Sequence, residues 1–231
     1  MKTIGLIGGM SWESSAVSYD LINKKVREML GSFHSCKSIM VTVDFAEIEV
    51  LQHQGKWKAL DKKMVASAQQ LEAAGADVIV LCTNTMHLCS PAIEQNTSIP
   101  FLHIAEATGR QIAKKGIKKV GLLGTRFTME KDFYKQYILD HFGIEVIIPT
   151  SNEIEEVHRI IYSELVHGQF RHDSRETYKG IIRNLEARGA GGVILGCTEI
   201  PLLISASDVD LPTFDTTTIH AETAVEWALQ D

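Results

Sequence analysis

Hydrophobic residues along the chain fall into two patterns that alternate. Short continuous apolar runs are separated by longer stretches in which apolar positions recur at helical spacing. The run Thr3-Ile4-Gly5-Leu6-Ile7 predicts a first strand. A helix follows over about 13–30, with Gly31 as its stop, then a strand over 39–43. A helix over about 57–74 ends at Gly75, a strand covers 77–82, and Pro100-Phe101-Leu102 fits a short further strand. The cycle then restarts with a strand over 119–123, a helix over about 128–141 and a strand over 144–148. Two more helices come next, with Asn152-x-x-Glu155 and Asp173-x-x-Glu176 as predicted capping boxes. A strand over 192–196, the run Leu211-Pro212-Thr213-Phe214-Asp215 and a helix over about 217–229 complete the chain.

The two cycles resemble each other in sequence. Gly5-Leu6-Ile7-Gly8 returns as Gly121-Leu122-Leu123-Gly124, 116 residues later. Gly75-Ala76-Asp77-Val78-Ile79-Val80-Leu81-Cys82-Thr83 returns as Gly189-Ala190-Gly191-Gly192-Val193-Ile194-Leu195-Gly196-Cys197, 114 residues later. Ile99-Pro100-Phe101-Leu102 is echoed by Leu211-Pro212-Thr213-Phe214, 112 residues later. Ordered matches at a nearly constant offset predict a tandem duplication. The expected fold class is therefore α/β, with two similar parallel-sheet lobes. The first lobe is expected to take residues 1–105 and 212–231, the second 106–211.

Composition narrows the function classes. The chain of 231 residues is 45% hydrophobic and 23% charged, as in ordinary globular proteins. A net charge of −6 and a pI of about 5.9 give no electrostatic case for nucleic acid or an anionic membrane as partner. No segment reaches the apolar length of a membrane span. Met1-Lys2 leads directly into the first strand, with no signal-peptide pattern. The four cysteines, Cys36, Cys82, Cys89 and Cys197, form no CxxC pair. A reducing cytoplasmic setting without disulfides is expected. The nine histidines make no zinc-like cluster with cysteine, so no metal is expected.

Candidate chemistry lies where strands end, because sites in parallel sheets form beyond the carboxyl ends of strands. Gly8-Gly9-Met10 lacks both common phosphate-loop patterns, so its glycines fit a tight turn close to a small ligand. Cys197, in Gly196-Cys197-Thr198-Glu199, is the leading nucleophile or base, its pKa expected to be lowered by a following helix N-terminus. Cys82-Thr83-Asn84-Thr85 is its counterpart, and strand alternation allows only one of Cys82 and Thr83 to face a cleft. Thr83 also fits a helix N-cap. Gly124-Thr125-Arg126-Phe127-Thr128 suits either carboxylate binding or ordinary capping by Thr128 with Arg126 exposed. Cys36 and Cys89 read as buried.

These residues together resemble a family. Gly8-Gly9-Met10-Ser11-Trp12-Glu13-Ser14, Leu81-Cys82-Thr83-Asn84-Thr85-Met86-His87, Leu123-Gly124-Thr125-Arg126-Phe127-Thr128, Gly196-Cys197-Thr198-Glu199, Pro100-Phe101-Leu102-His103 and Phe214-Asp215-Thr216 are similar to the motifs of the aspartate/glutamate racemases. These enzymes work without pyridoxal phosphate or any other cofactor. The resemblance spans essentially the whole chain. It implies a site between two lobes, where one cysteine of each lobe works on one face of an amino acid's α-carbon. Carried over, Cys197 is the second-half cysteine, while Thr83 stands where the first-half cysteine is usual.

A threonine hydroxyl does not titrate in the working range, so Thr83 cannot be a resting base. The resemblance then implies catalysis biased towards the L-enantiomer, with Cys197 as base and Thr83 as donor or relay on the opposite face. Asn84, Thr85, Thr198 and Glu199 are expected to bind substrate or tune Cys197, and Met10 and Thr125 to line the site. Gln52 and His167 stand nearest to the basic pair that holds the side-chain carboxylate in the family. The implied partners are a small amino acid, aspartate or glutamate first, and a second copy in a homodimer. The alternatives are a single-cysteine decarboxylase or isomerase of the same superfamily, and an amino-acid-binding sensor that has lost turnover.

Overall fold

The computed structural model describes residues 1–230. Strand β1 (Ile4–Gly8) is followed by α1 (Trp12–Leu30), β2 (Ser38–Thr42), α2 (Phe45–His53), α3 (Trp57–Ala73) and β3 (Val78–Leu81). A 3-10 turn over Thr85–Cys89, α4 (Ser90–Asn96), β4 (Phe101–Leu102) and α5 (Ile104–Lys114) come next. The second cycle runs β5 (Lys119–Gly124), α6 (Arg126–Glu130), α7 (Asp132–Phe142), β6 (Glu145–Ile147), α8 (Ser151–Ser163), a 3-10 turn over Leu165–His167 and α9 (His172–Ala187). It closes with β7 (Val193–Gly196), α10 (Ile200–Leu203), β8 (Thr213–Asp215) and α11 (Thr216–Ala228).

The strands form two four-stranded parallel sheets of the same order, β2-β1-β3-β4 and β6-β5-β7-β8. The repeat seen in the sequence is thus a repeat of topology. The chain divides into two compact units, Met1–Ile104 with the C-terminal residues from His220 on, and Ala105–Ile219. The division departs from the expected one at Ala105 and over 212–219. That stretch stays with the second unit, because β8 completes the second sheet by pairing with β7.

The first sheet is covered on both faces, which is why β1 and β3 are buried throughout. Successive side chains alternate across it. Ile79 and Leu81 join Ile7 on one face, against Leu60, Met64, Ala68 and Leu71 of α3. Val78 and Val80 join Ile4 and Leu6 on the other, against Ile22 and Val26 of α1 and Ala221, Ala224 and Val225 of α11. In the second unit Val157 and Ile161 of α8 and Tyr178, Ile182 and Leu185 of α9 are likewise buried.

Helix ends follow local chemistry. Ser11 caps α1 by accepting from the Ser14 N–H, and Gly31, at φ +76°, returns its N–H to the Arg27 carbonyl, the stop expected there. The capping box of α8 lies two residues earlier than expected, with Thr150 and Glu153 in place of Asn152 and Glu155. Asp173 caps nothing, since α9 already starts at His172. Four helices, α2, α4, α5 and the four-residue α10, escaped the periodicity reading. In α2 only Ile48 and Gln52 are buried, α4 is seven residues long, and the buried face of α5 combines Ile104 and Ile112 with the small Ala105, Ala107 and Thr108.

Gly9 shows what the first strand's turn requires. It sits at φ +94°, and a Cβ there would stand 2.1 Å from the Val43 carbonyl oxygen. Backbone, not a flexible side chain, occupies that space. Gly9→Ala is expected to destabilise the protein by about 2–4 kcal/mol, read as a lowered urea midpoint. A midpoint within error of wild type would contradict this account of the turn.

Candidate active site

In each unit the polar residues gather at the carboxyl ends of the two central strands. The pairs Ile7↔Leu81 and Gly124↔Gly196 set the loops after β1 and β3, and those after β5 and β7, side by side. Gly196 permits the second approach. A Cβ on it would stand 2.9 Å from the Leu123 carbonyl, and one on Gly124 2.9 Å from the Gly196 carbonyl.

In the first unit Cys82 and Thr83 part company. Cys82 is buried in the core beside Val78, Val80 and Ala221, and burial pushes its thiol pKa up to about 12. Thr83, two residues past the last residue of β3, is half-buried. It is not a helix cap; Asn84 opens the 3-10 turn and accepts the His87 N–H with its carbonyl. Asn84 and Thr85 are buried. The Gly8-Gly9 turn is held by Ser15, whose hydroxyl accepts the Gly9 N–H at 2.8 Å and donates to the Ser11 carbonyl at 2.9 Å. Met10 packs into the core with Ile7, Ile48 and Met86.

Gln52 lies in a helix, α2, where a loop was expected, and it is buried. Its Nε2 donates to the Met86 Sδ at 3.1 Å, while its Oε1 is buried without a hydrogen-bond partner. A thioether is a weak acceptor, so this amide is poorly satisfied within the protein and suited to a polar ligand. A groove of about 500 Å³ along α1 and β2, lined by Trp12, Tyr19 and Met40 among others, contains none of the expected site residues.

In the second unit Cys197 is half-buried at the end of β7. Its Sγ donates to Glu199 Oε2 at 2.9 Å, and the Thr198 hydroxyl donates to the same oxygen at 2.8 Å. Glu199 is buried. Burial and then the Glu199 charge hold the Cys197 pKa well above its ordinary value. This reverses the lowering expected from a helix N-terminus. The helix that follows is four residues long, and the carboxylate at its cap outweighs so short a dipole. The resting group is a thiol aimed at a proton acceptor.

Thr125, at the end of β5, is the N-cap of α6 and accepts from the Thr128 N–H, so Thr125 and not Thr128 is the cap. Arg126 is half-buried and paired with Glu155. His167 is exposed at the turn after α8, while its neighbour Glu164 is buried and bound by Ser174 at 2.5 Å and Arg159 at 3.0 Å. Among the described residues no cluster of histidine, cysteine and carboxylate could hold a metal ion, and no helix is long and apolar enough to cross a membrane.

The sequence model of the Asp/Glu/Hydantoin racemases matches residues 7–224. The chain belongs to this family. It is an enzyme of the racemase class, an isomerase. A Yersinia pestis protein assigned as an Asp/Glu racemase is 51% identical over the full length of both chains, with a TM-score of 0.94. An aspartate racemase homologue from Pyrococcus horikoshii OT3 is 35% identical over the full length of both, with a TM-score of 0.88. A broad specificity amino-acid racemase of Bacillus subtilis (strain 168) is 24% identical over 96% of each chain.

Within this racemase, Cys197, Thr198 and Glu199 come together as one hydrogen-bonded group. Gln52 comes together with the turn that carries Thr85, through Met86. Met10 and Thr125 serve the core and a helix cap. Two residues were missed by sequence reasoning. His87 donates through Nδ1 to the Thr83 carbonyl at 2.7 Å, and its place four residues after Thr83 was the available signal. Tyr178 is fully buried within the field of Cys197 and Glu199, and its place on the apolar stripe of α9 gave no signal.

The thiol account predicts alkylation behaviour. Iodoacetamide at pH 8 is expected to label Cys197 ahead of the buried Cys36, Cys82 and Cys89, with peptide mapping as readout. Glu199→Gln removes the charge that raises the Cys197 pKa and should speed this labelling severalfold. Slower labelling of the variant would contradict the assignment.

Proposed function

We propose that this racemase interconverts the enantiomers of aspartate or glutamate by 1,1-proton transfer, with Cys197 as the base on the L-substrate and Thr83 on the opposite face of the α-carbon. The observation that carries this reading is the asymmetry of two equivalent strand ends. One ends in a thiol beside a buried carboxylate, the other in a hydroxyl with no titratable group of its own.

The chemistry follows from that asymmetry. Cys197 gives its proton to Glu199, producing a thiolate and a carboxylic acid. A substrate ammonium nearby would favour the ion, as opposite charge always does. The thiolate takes the α-proton, and the electron pair moves into the substrate carboxylate as an enediolate. A water proton relayed through the Thr83 hydroxyl to the other face gives the D-enantiomer, and Glu199 returns its proton to solvent to reset the site. A proton returned from Cys197, after exchange with solvent, gives back the L-enantiomer. Gln52 fits the substrate's polar groups through its unsatisfied amide, and Asn84, Thr85 and Thr198 complete the binding set. His167 is exposed in the free protein and is the candidate for the side-chain carboxylate.

Aspartate and glutamate fit the family and the full-length relatives. The Bacillus subtilis relative, named for broad specificity, is the reason to include neutral amino acids in any panel.

Enantiomers have equal free energy, so racemisation is equally efficient in both directions. The bias towards L must instead appear in exchange without inversion. In deuterated water, L-aspartate or L-glutamate is expected to gain α-deuterium faster than D-product forms, and the D-enantiomer to exchange slowly. Equal exchange rates from the two enantiomers would overturn the proposal.

Variants extend the test. Cys197→Ser should lose on the order of 10³-fold in exchange, and Glu199→Gln on the order of 10- to 100-fold, despite its faster alkylation. Thr83→Cys should raise exchange from the D-enantiomer. Release of carbon dioxide from a disubstituted malonate, without amino-acid exchange, would mark a decarboxylase. Tight binding without exchange would mark a sensor.

A further inference from the structure

We propose that His87 is the positioning residue that holds Thr83 at the substrate's α-carbon, through a single neutral tautomer fixed by two backbone contacts. The proposal rests on the role assigned to Thr83 above. His87 is fully buried in the 3-10 turn over Thr85–Cys89. Its Nδ1 stands 2.7 Å from the Thr83 carbonyl oxygen, and its Nε2 stands 3.1 Å from the Ile104 backbone nitrogen. A carbonyl oxygen can only accept and an amide N–H can only donate. The first contact therefore places the ring's proton on Nδ1, and the second leaves Nε2 bare. One ring thus ties the end of β3, where Thr83 lies, to the first residue of α5.

The surroundings keep the ring in that form. His103, before α5, meets it edge-on at 4.9 Å between ring centroids, and His220, from α11, at 5.7 Å. Phe101 lies at 5.4 Å. His220 is itself committed, its Nε2 donating to the Leu102 carbonyl at 2.7 Å. His103 and His220 are the titratable groups facing His87, and neither can compensate a positive charge on it. Burial and these two neighbours hold the His87 pKa well below its ordinary value. A proton on Nε2 would also confront the Ile104 N–H donor to donor. The ring is therefore a fixed two-point strut at neutral pH, one point of which is the backbone of Thr83.

The two contacts can be separated by substitution. Asparagine keeps a donor near the Nδ1 position and loses the acceptor for Ile104. Glutamine keeps an acceptor near Nε2 and loses the donor to Thr83. Leucine loses both. The readout is the ratio of D-product formed to α-deuterium incorporated into L-substrate. Incorporation needs Cys197 alone, whereas inversion also needs Thr83, so a merely destabilised protein loses both together and keeps its ratio.

His87→Gln and His87→Leu are expected to lower the ratio on the order of tenfold or more, the scale of a misplaced catalytic group. His87→Asn should retain most of the wild-type ratio. Thr83→Val, run alongside, should lower the ratio at least as far. A ratio unchanged in Thr83→Val would overturn the role of Thr83 and this proposal with it. A ratio lowered in Thr83→Val but unchanged in folded His87→Gln would overturn the positioning role alone. Should the His87 variants fail to fold, imidazole nitrogen NMR of the wild-type protein at pH 7 decides. A protonated Nδ1 and bare Nε2 are expected for His87; the other tautomer, or a cation, would overturn the proposal.

Discussion

Parallel pairing of strands that are buried on both faces is the constraint from which the rest of this structure follows. Residues in β1, β3, β5 and β7 have no solvent on either side, so these strands hold almost nothing but aliphatic side chains and glycine. Polar chemistry can enter only where the strands stop. Parallel pairing brings the carboxyl ends of neighbouring strands to the same edge, so the loops after β1 and β3 meet, as do those after β5 and β7. Each unit therefore presents a glycine turn beside a short polar segment. The glycines at these places are steric necessities, because backbone of the adjoining strand or loop fills the space a Cβ would need.

That constraint also sets the electrostatics. A carboxylate placed two residues beyond a thiol, at the mouth of a buried strand, has little water to screen it. Glu199 therefore raises the Cys197 pKa and offers it a proton acceptor at the same time. A thiol held in reserve beside its own base is a different device from a thiol ionised by a helix dipole. In the first unit the equivalent strand end has no such pair. Its cysteine, Cys82, lies in the core, and the carbonyl of its polar residue, Thr83, accepts from a buried histidine.

Much of the fold was legible in the sequence. Each strand-like run corresponds to a strand, the duplication corresponds to two sheets of identical order, and α1, α3 and the Gly31 stop lie close to where periodicity put them. The second helix, α2, escaped because its apolar stripe is weak. Only Ile48 and Gln52 of α2 are buried, and one of these is polar, so no amphipathic signal was present. Capping boxes slipped by two residues at α8, because Thr150-x-x-Glu153 and Asn152-x-x-Glu155 satisfy the same pattern and only the backbone chooses between them.

The sequence by itself determined the α/β class, the repeat and the identity of the strand-end residues, because short apolar runs, helical periodicity and glycine turns are local in the chain. The tertiary structure alone decided that Cys82 is buried in the core, that Cys197 rests as a thiol against Glu199, that Gln52 carries a buried unsatisfied oxygen, and that His87 reaches back to Thr83. Each of these depends on burial and on the meeting of groups from different turns of the chain. Desolvation and hydrogen-bond partners are properties of a folded neighbourhood, and no spacing along the sequence encodes them directly.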